Sequence, residues 1–259
     1  RNKIFKPFEF RIIMKIVKIK SSLGGLGKSN SEDAPDLVIN HLRDYTKNFE
    51  VDDVKIVKEN LDETNKNISE KEGDIFIGGD HSITYSCFKN FCRKYKNPGL
   101  LVFDAHADCM DNFKITHEDW LAVLIEEKLV RIENVILVGL RKIEKQEVEY
   151  LNKKKIKYFG MDRLFGNIED VCDTIMENLR NCDGLYISVD IDVVDPAFAP
   201  GTGYPEPGGL SSQELLYFIR RLKLLKNLRG IDLVEICPKK DVNNMTVRLG
   251  AKIVYELLK

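Results

Sequence analysis

The chain has 259 residues, with 40 lysines and arginines against 41 aspartates and glutamates. This balance leaves no strong field to attract a polyanion, so we expect no nucleic-acid partner and no binding to an anionic membrane. The sequence has no signal peptide and no apolar run near 20 residues, and its six cysteines show no zinc-type pairing. These features predict a cytoplasmic protein with a small-molecule partner.

The apolar pattern predicts eight strands that alternate with helices. The predicted strands lie near 15–19, 53–57, 74–77, 100–103, 135–138, 156–159, 185–189 and 230–234. The predicted helices lie near 34–47, 82–95, 117–128, 145–154, 168–180, 211–225 and 243–258. The charge-rich stretch 58–73 is expected to be a solvated helix or loop without chemistry. This alternation predicts a parallel sheet covered on both faces, either closed into a barrel or open.

The first 13 residues are basic and aromatic and precede Met14, where the first predicted strand begins. They have no clean amphipathic period and no helix caps. We interpret residues 1–13 as an N-terminal extension and residues 14–259 as a single domain. A helix lying on a membrane surface is the alternative for the first segment.

Three groups of polar residues directly follow predicted strands. They are Gly-Gly-Asp-His-Ser at 78–82, Asp-Ala-His-Ala-Asp at 104–108 and Asp-Ile-Asp at 190–192. Ligand sites of parallel sheets lie at the carboxyl ends of the strands, and side chains two residues apart on an extended backbone point the same way. We therefore expect two imidazoles and four carboxylates to converge, a set that neutralises two divalent cations. Capping of the following helix is the alternative for any one of these aspartates.

The same motifs resemble those of the ureohydrolases, a family that includes arginase, agmatinase and formimidoylglutamase. The motifs at 78–82, 104–108 and 188–196 occur in the family's order, and residues 199–210 are similar to the agmatinase form of that segment. The resemblance spans residues 14 to 258. It implies a three-layer α/β/α fold with an eight-stranded parallel sheet, and so decides against a barrel.

The resemblance also implies the metal ligands, which are His81, Asp104, His106, Asp108, Asp190 and Asp192; Asp108 is also counted as catalytic. It implies two Mn²⁺ ions, and such oxygen-rich sites also accept Zn²⁺, Fe²⁺ or Co²⁺. Two metals that share one water lower its pKa from ~15.7 toward ~7, which makes hydroxide available at neutral pH. Ureohydrolases direct it at a guanidinium carbon and release urea. Family members are commonly trimers or hexamers, so we expect a homo-oligomer.

Two glutamates are predicted to contact the substrate. Glu235 follows the last predicted strand, in a segment similar to the one whose glutamate holds the guanidinium in the family; an ion-paired surface glutamate is the alternative. Glu144 is aligned with the arginase residue that meets the substrate's α-amino group. A solvated glutamate in the first turn of a helix is the alternative there.

His117 is predicted to donate a proton to the departing amine, although in the family this histidine usually precedes glycine. Here Thr116 and Asp119 approximate a capping box, which predicts His117 in the first turn of a helix. The helix dipole there lowers the proton affinity of an imidazole. A purely local role at the helix start is the alternative.

The remaining polar residues of interest have supporting roles in our interpretation. Asp80 is expected to orient His81 or its loop from outside the ligand set. Asp195 precedes a proline and is expected to shape a turn rather than bind metal. Cys109 is interpreted as a packed, inert thiol, with a soft ligand or an oxidation-sensitive thiol as the alternative, and His41 as solvated or structural.

Together these features predict a hydrolase that cleaves a guanidino C–N bond, with agmatine ahead of arginine as the substrate. A formimidoylglutamase or another guanidino-acid hydrolase is the alternative with related chemistry. A non-catalytic, metal-bound sensor or assembly subunit is the alternative from another class, and the unusual surroundings of His117 support it.

Overall fold

The computed structural model of the protein describes residues 13–27, 30–110 and 114–259. In these ranges eight strands form one sheet in which every neighbouring pair is parallel. In chain order the strands are β1 (Met14–Lys18), β2 (Phe49–Asp53), β3 (Ile75–Ile77), β4 (Pro98–Phe103), β5 (Val135–Leu140), β6 (Lys157–Gly160), β7 (Gly184–Asp190) and β8 (Leu228–Val234). Apart from residue 13, the predicted N-terminal extension lies outside the described residues.

Helices connect the strands. In chain order they are α1 (Ala34–Leu42), α2 (Leu61–Ser69), α3 (Ile83–Cys92), α4 (Trp120–Glu126), α5 (Lys145–Lys154), α6 (Met161–Leu164), α7 (Ile168–Leu179), α8 (Ser212–Leu222) and α9 (Met245–Leu258). Within the described ranges, none of these helices is long and apolar enough to span a bilayer.

The sheet separates two apolar cores, because successive residues of a strand point to opposite faces. Ile16 packs into the core that contains residues of α1, α7, α8 and α9. Its neighbour Val17 packs into the other core, with residues of α2, α3, α4 and α5. Strands β4, β5 and β7 are buried along their whole length, as expected for strands covered on both faces. The predicted three-layer α/β/α fold is therefore confirmed.

The strand order places the polar groups of the sequence side by side. The order is β2-β1-β3-β8-β7-β4-β5-β6, so the neighbours β3, β8, β7 and β4 form the centre of the sheet. Each of these four strands leads into one of the predicted site segments. Because all four run parallel, their carboxyl ends meet at one edge of the sheet. This order brings Glu235 beside His81, 154 positions away in sequence.

The second strand was predicted in the wrong place. The alternation over 53–57 favoured a strand there, but β2 ends at Asp53, and Val54 and Ile56 pack against the core from outside the strand. Pairing with β1 sets the position of β2, and two ion pairs join the strands, Lys15 with Asp52 and Lys18 with Asp53. At the edge of the sheet, contacts with the neighbouring strand outweigh apolar periodicity.

Two helical segments also differ from the prediction. The stretch 58–73 contains α2, and this helix is half buried rather than solvated, with Thr64 and Ile68 inside the protein. The short helix α6 was not predicted, because its four residues are too few for a periodic pattern.

The loop between β3 and α3 depends on Gly79. A Cβ built on Gly79 lies 1.8 Å from the carbonyl oxygen of Ser21, so any side chain there forces the two loops apart.

We expect Gly79→Ala to lower the free energy of unfolding by about 3 kcal/mol, measured by urea denaturation. Gly25→Ala is the matched control, since its Cβ meets no atom closer than 3.5 Å, and we expect it to change stability by less than about 1 kcal/mol. Equal losses in the two variants would contradict this account.

Candidate active site

His81 lies at the centre of the first group of predicted ligands. Its Nδ1 lies 3.0 Å from Asp104 Oδ2, 2.9 Å from Asp108 Oδ2 and 3.2 Å from Asp190 Oδ2. All four side chains are buried. The ends of three different strands, β3, β4 and β7, therefore meet at this point.

The second group lies around His106. Its Nδ1 lies 2.9 Å from Asp192 Oδ2 and 3.5 Å from Asp104 Oδ1. Asp104 belongs to both groups, and within the sets His81–Asp104–Asp108 and Asp104–His106–Asp192 the potential ligand atoms all lie within 4.8 Å of one another. The structure thus brings together all six residues that the sequence predicts as metal ligands.

Two atoms of this site lack the hydrogen bonds that buried polar atoms normally make. His81 Nδ1 and Asp104 Oδ2 are buried and make no hydrogen bond to any described residue, which is rare for buried polar atoms. Three carboxylates crowd one ring nitrogen without bonding to it. Imidazole nitrogens with carboxylate oxygens are a donor set that Mn²⁺ and similar ions accept. The residues present therefore fit a pair of divalent cations.

Protons compete with cations for this site. Burial opposes the charged form of both histidines, but the facing carboxylates outweigh it: they raise the pKa of His81 well above its ordinary value and the pKa of His106 to about 12. Burial, together with Asp192 and Asp104, also raises the pKa of Asp190. Binding of cations must therefore displace protons, so affinity for metal falls as the pH falls.

Local hydrogen bonds orient the carboxylates. The backbone N–H of His106 donates to Asp104 Oδ1 at 2.7 Å, and the N–H of Asp192 donates to Asp190 Oδ1 at 2.8 Å. Asp108 has a left-handed backbone with φ of 50°, and its Oδ2 accepts a 2.6 Å hydrogen bond from the indole N–H of Trp120. The Trp120 contact ties the ligand loop to the start of α4.

A chain of buried hydroxyl and carboxyl groups lies behind His81. The Oγ of Ser188 lies 2.9 Å from His81 Nε2 and donates to Asp232 Oδ1 at 2.6 Å, and the hydroxyl of Tyr186 donates to Asp232 Oδ2 at 2.8 Å. Because Ser188 donates to Asp232, its oxygen accepts the proton of His81 Nε2. This fixes the tautomer that leaves Nδ1 free for a metal.

The sequence analysis did not predict this series of hydrogen-bonded groups, although the sequence contained a signal for it. Asp232 is a charged residue inside the apolar strand β8, and a fully buried carboxylate requires partners. The partners themselves lie on the neighbouring strand β7, and strand order was not visible in the sequence.

Glu235 lies beside the metal ligands with one oxygen unused. Its Oε1 accepts a 2.8 Å hydrogen bond from the backbone N–H of His81, whereas its buried Oε2 has no hydrogen-bond partner among the described residues. The residue has a left-handed backbone, with φ of 61°. For a glutamate such a conformation is uncommon and often marks a functional position. It directs the side chain into the cavity over the ligands.

The predicted position of His117 at a helix start is wrong. Helix α4 begins at Trp120, and Asp119 occupies the N-cap position. Thr116 does not cap the helix with its side chain; its Oγ1 instead donates to Asp119 Oδ2 at 2.7 Å. His117 lies in the turn before the helix, so its side chain is free to enter the cavity.

The expected low proton affinity of His117 is wrong for the same reason. Burial opposes protonation, but Glu235, whose Oε1 lies 3.4 Å from His117 Nδ1, outweighs it together with Asp108 and Asp80. These carboxylates raise the pKa of His117 to about 9. Nearby charges, rather than a helix dipole, control this imidazole.

A cavity of about 200 Å³ opens over the ligands. Its outer wall includes Glu118, Lys142, Glu144, Tyr204 and Glu206. Glu144 occupies the N-cap position of α5 with a largely exposed side chain, and its carboxylate pairs with Lys142 at 2.9 Å. Glu144 therefore lies at the cavity as predicted, but it is already paired with a cation that the sequence analysis did not consider.

Arg141 fixes one side of this wall, a role that the sequence analysis missed. Its guanidinium donates to backbone carbonyls of two segments, reaching Asp192 at 2.6 Å and Glu206 at 2.7 Å. Asp195 holds the same loop from the other side by accepting from the N–H groups of Gly208 and Gly209. The turn role predicted for Asp195 agrees with this geometry.

Three other residues were assigned minor roles. Asp80 lies outside the two ligand groups and accepts hydrogen bonds from the N–H groups of Ser82 and Gly24, so it shapes the loop next to His81. Cys109 is buried, and burial raises the pKa of its thiol, as expected of an inert residue. His41 lies in the last turn of α1 and pairs with Asp44.

An eight-stranded parallel sheet between two helical layers, with two His/Asp groups at its carboxyl edge, defines the arginase-like class of α/β proteins. The Arginase family matches residues 14–259, and the chain belongs to this family. An arginase structure from Bacillus subtilis superimposes with a TM-score of 0.84 at 25% identity, covering 95% of this chain and 98% of that one. A formimidoylglutamase from the same species has a TM-score of 0.89 over 97% and 88% of the two chains, at 22% identity, which supports the fold alone.

Two relatives illustrate the sequence similarity. A guanidinobutyrase from Pseudomonas aeruginosa is 36% identical over 188 residues, which cover 70% of this chain and 58% of that protein. "Arginase 1, mitochondrial" from Arabidopsis thaliana is 32% identical over 235 residues, which cover 87% of this chain and 65% of that protein. The chain therefore spans less than two thirds of the length of either relative.

The hydroxyl behind His81 provides a test of the metal site. We expect Ser188→Ala to weaken Mn²⁺ binding roughly 10- to 100-fold, because His81 loses the partner that holds its Nδ1 toward the metal. Calorimetric titration of metal-free protein measures the affinity, with Asp104→Asn as a variant that loses a shared ligand. Ser69→Ala removes another buried hydroxyl, which donates to the Lys66 carbonyl on α2, and should bind Mn²⁺ like the parent. Parent-like affinity in Ser188→Ala would contradict the assigned role.

Proposed function

We propose that the protein is a binuclear metal-dependent hydrolase that cleaves a guanidino C–N bond and releases urea, with Mn²⁺ as its metal. The observation that carries the proposal is the buried Oε2 of Glu235, which has no hydrogen-bond partner among the described residues and lies beside six converging candidate ligands. Membership of the Arginase family supports this chemistry. A cytoplasmic location and a homo-oligomer, either a trimer or a hexamer, stay predictions.

Glu235 is suited to binding a guanidinium. A guanidinium is planar and always charged, and it pairs with a carboxylate of fixed orientation. The N–H of His81 holds Oε1 of Glu235, so Oε2 is left to accept from the substrate at the floor of the cavity. This contact holds the guanidinium carbon over the ligand groups, and the fixed position lowers the entropy cost of the reaction.

The six ligands would hold the cations, with Asp104 common to both groups. When bound, two divalent cations lower the pKa of a water and so supply a nucleophile at neutral pH. Addition of water to the guanidinium carbon and cleavage of its bond to the alkyl nitrogen give urea and an amine. We expect His117 to donate the proton that the departing amine takes up, and the proximity of its Nδ1 to Glu235 supports this role.

The charge of the cavity favours a cationic substrate tail. Glu118, Glu144 and Glu206 lie on the outer wall, and Lys142 is the only basic side chain other than the histidines among the described lining residues. Because Glu144 already neutralises Lys142, the outer wall has a net negative charge. A terminal ammonium therefore fits this wall better than a terminal carboxylate. We accordingly propose agmatine as the substrate, which yields urea and a diamine.

Arginine is the second candidate, and the pair of Lys142 and Glu144 favours it. The two side chains lie at the cavity wall with opposite charges 2.9 Å apart. An α-amino acid carries the complementary pair of charges, an ammonium and a carboxylate. Separation of Lys142 from Glu144 would allow each to meet one of these groups.

Urea release tests the reaction itself. Mn²⁺-loaded protein should release urea from at least one of agmatine, arginine, guanidinobutyrate and guanidinopropionate, with agmatine preferred. We expect Glu235→Gln to lower kcat/KM roughly 100-fold, as expected when a buried charged partner of the substrate is removed at a cost of about 3 kcal/mol. Glu177→Gln, on the exposed face of α7, is the control and should behave like the parent. No urea from a protein shown to hold two metals would reject the proposal and favour a sensor or assembly role.

Substitution of Lys142 separates the two candidate substrates. In Lys142→Met the wall loses a positive charge and Glu144 is freed, so kcat/KM for agmatine should rise by up to about fivefold. For arginine it should fall, because the partner of the carboxylate is lost. The measurement is the ratio of kcat/KM for agmatine to kcat/KM for arginine, determined for Lys142→Met and for the parent protein. A drop in agmatine turnover with arginine unchanged would contradict the assignment.

A further inference from the structure

The loop of residues 23–27, which follows β1, contacts His117 through its backbone. The N–H of His117 donates to the carbonyl of Gly24 at 3.1 Å. The N–H of Leu26 donates to His117 Nε2, also at 3.1 Å. The 23–27 loop therefore holds both the backbone and the ring of the predicted proton donor.

These contacts define which nitrogen of His117 carries the proton. Nε2 accepts from Leu26, so it has no proton in this arrangement. Nδ1 lies 3.4 Å from Glu235 Oε1, where a proton on Nδ1 is attracted to a carboxylate. The nearest partners of the two ring nitrogens thus differ: a donor lies at Nε2, with the Glu118 carboxylate farther off at 4.0 Å, and an acceptor lies at Nδ1.

The position of the 23–27 loop is built into the fold. The N–H of Gly24 donates to Asp80 Oδ2 at 3.1 Å. A Cβ built on Gly24 lies 2.1 Å from Ser82 Oγ, so this close approach requires glycine. At the other end of the loop, a Cβ on Gly27 would lie 3.1 Å from the hydroxyl of Tyr204. The loop is therefore held between the β3–α3 connection and the outer wall of the cavity.

We propose that the 23–27 loop is a positioning element that fixes the proton of the neutral His117 ring on Nδ1 and disfavours protonation of Nε2, and that the Leu26 amide must leave Nε2 before His117 acts as a proton donor. The second half of this statement rests on the proposed function. Leu26 acts only through its backbone, since its side chain is exposed.

Opposing forces act on the protonation of His117. The carboxylates around it are Glu235 after β8, Asp80 after β3, Asp108 after β4 and its neighbour Glu118; Tyr204 contributes an aromatic ring 5.4 Å away. Glu235, Asp108 and Asp80 favour the charged ring and raise its pKa to about 9, against the effect of burial. The Leu26 N–H opposes the charged ring, because a protonated Nε2 would place two donors against each other. The 23–27 loop carries no titratable side chain, so its effect comes from one amide.

This arrangement links a backbone movement to proton supply. While the loop remains in place, its amide opposes a proton on Nε2, and an imidazole without that proton is a weak acid. Withdrawal of the Leu26 amide lets Nε2 take up a proton from water, and the surrounding carboxylates stabilise the charged ring. The resulting imidazolium can then release the proton on Nδ1 to the departing amine and keep the one on Nε2.

Nitrogen NMR of the full chain labelled with ¹⁵N-histidine tests the tautomer directly. Metal-free and Zn²⁺-loaded protein avoid the broadening that Mn²⁺ causes, and the His117→Gln spectrum identifies the His117 signals. In the neutral ring we expect the proton on Nδ1, which is the less common tautomer of free histidine. A proton on Nε2 in both samples would overturn the proposal.

A matched pair of variants tests the amide itself. Leu26→Pro removes the N–H, whereas Leu26→Ala keeps it and shortens only an exposed side chain. We expect the proline variant to raise the pKa of His117 by about one unit and the alanine variant to leave it unchanged. Identical titration in the two variants would overturn the proposal. Parent-like signals of His41, His81 and His106 verify that a variant is folded. If the proline variant does not fold, the tautomer measured in the parent protein remains the test of the proposal.

The test of the loop assignment can succeed or fail independently of the test of the proposed function. The tautomer and the pKa are measured without substrate, so they stand whether or not urea is released. A proton on Nδ1 in a protein that hydrolyses none of the guanidino compounds would support the loop assignment and reject the proton-donor role.

Discussion

Repulsion between buried carboxylates is the constraint on which the rest of the structure depends. Four aspartates converge at the carboxyl edge of the sheet, and charges removed from water need partners. The protein supplies some of them, namely backbone N–H groups and the Trp120 indole. Two buried atoms, Asp104 Oδ2 and His81 Nδ1, make no hydrogen bond within the described part of the chain. Cations would stabilise such a site, and the same carboxylates raise the pKa values of His81 and His106.

The supporting structure counteracts this repulsion with rigid contacts. Ser188 and Asp232 fix His81 from behind, and Arg141 fastens the outer loop by donating to backbone carbonyls on both sides. Left-handed backbones at Asp108 and Glu235 direct their side chains inward, at a cost that the surrounding contacts must offset. The ends of the strands and their close packing therefore set the positions of the candidate ligands and of Glu235.

His117 shows how the same electrostatics extend beyond the ligands. The carboxylates that face it attract a proton, while one backbone amide of the 23–27 loop repels a proton from Nε2. Its protonation state thus depends on whether that loop stays in place. Glu235 takes part both in the protonation of His117, which it lies beside, and in the proposed binding of the guanidinium, toward which its second oxygen is directed.

The sequence by itself predicted alternating strands and helices and the convergence of Asp and His residues at strand ends, because apolar runs followed by these residues carry that information locally. The resemblance of its motifs to the ureohydrolases was needed to choose the open sheet over a barrel and to assign the six candidate ligands. The apolar pattern also placed most helices and all strands except β2, whose position depends on ion pairs with β1. Only the tertiary structure decided that β8 lies between β3 and β7, since strand order depends on packing between distant segments. For this reason the Asp232 chain, the Arg141 contacts and the surroundings of His117 were not foreseen. Each depends on residues from separate strands or loops, and no local pattern encodes their proximity.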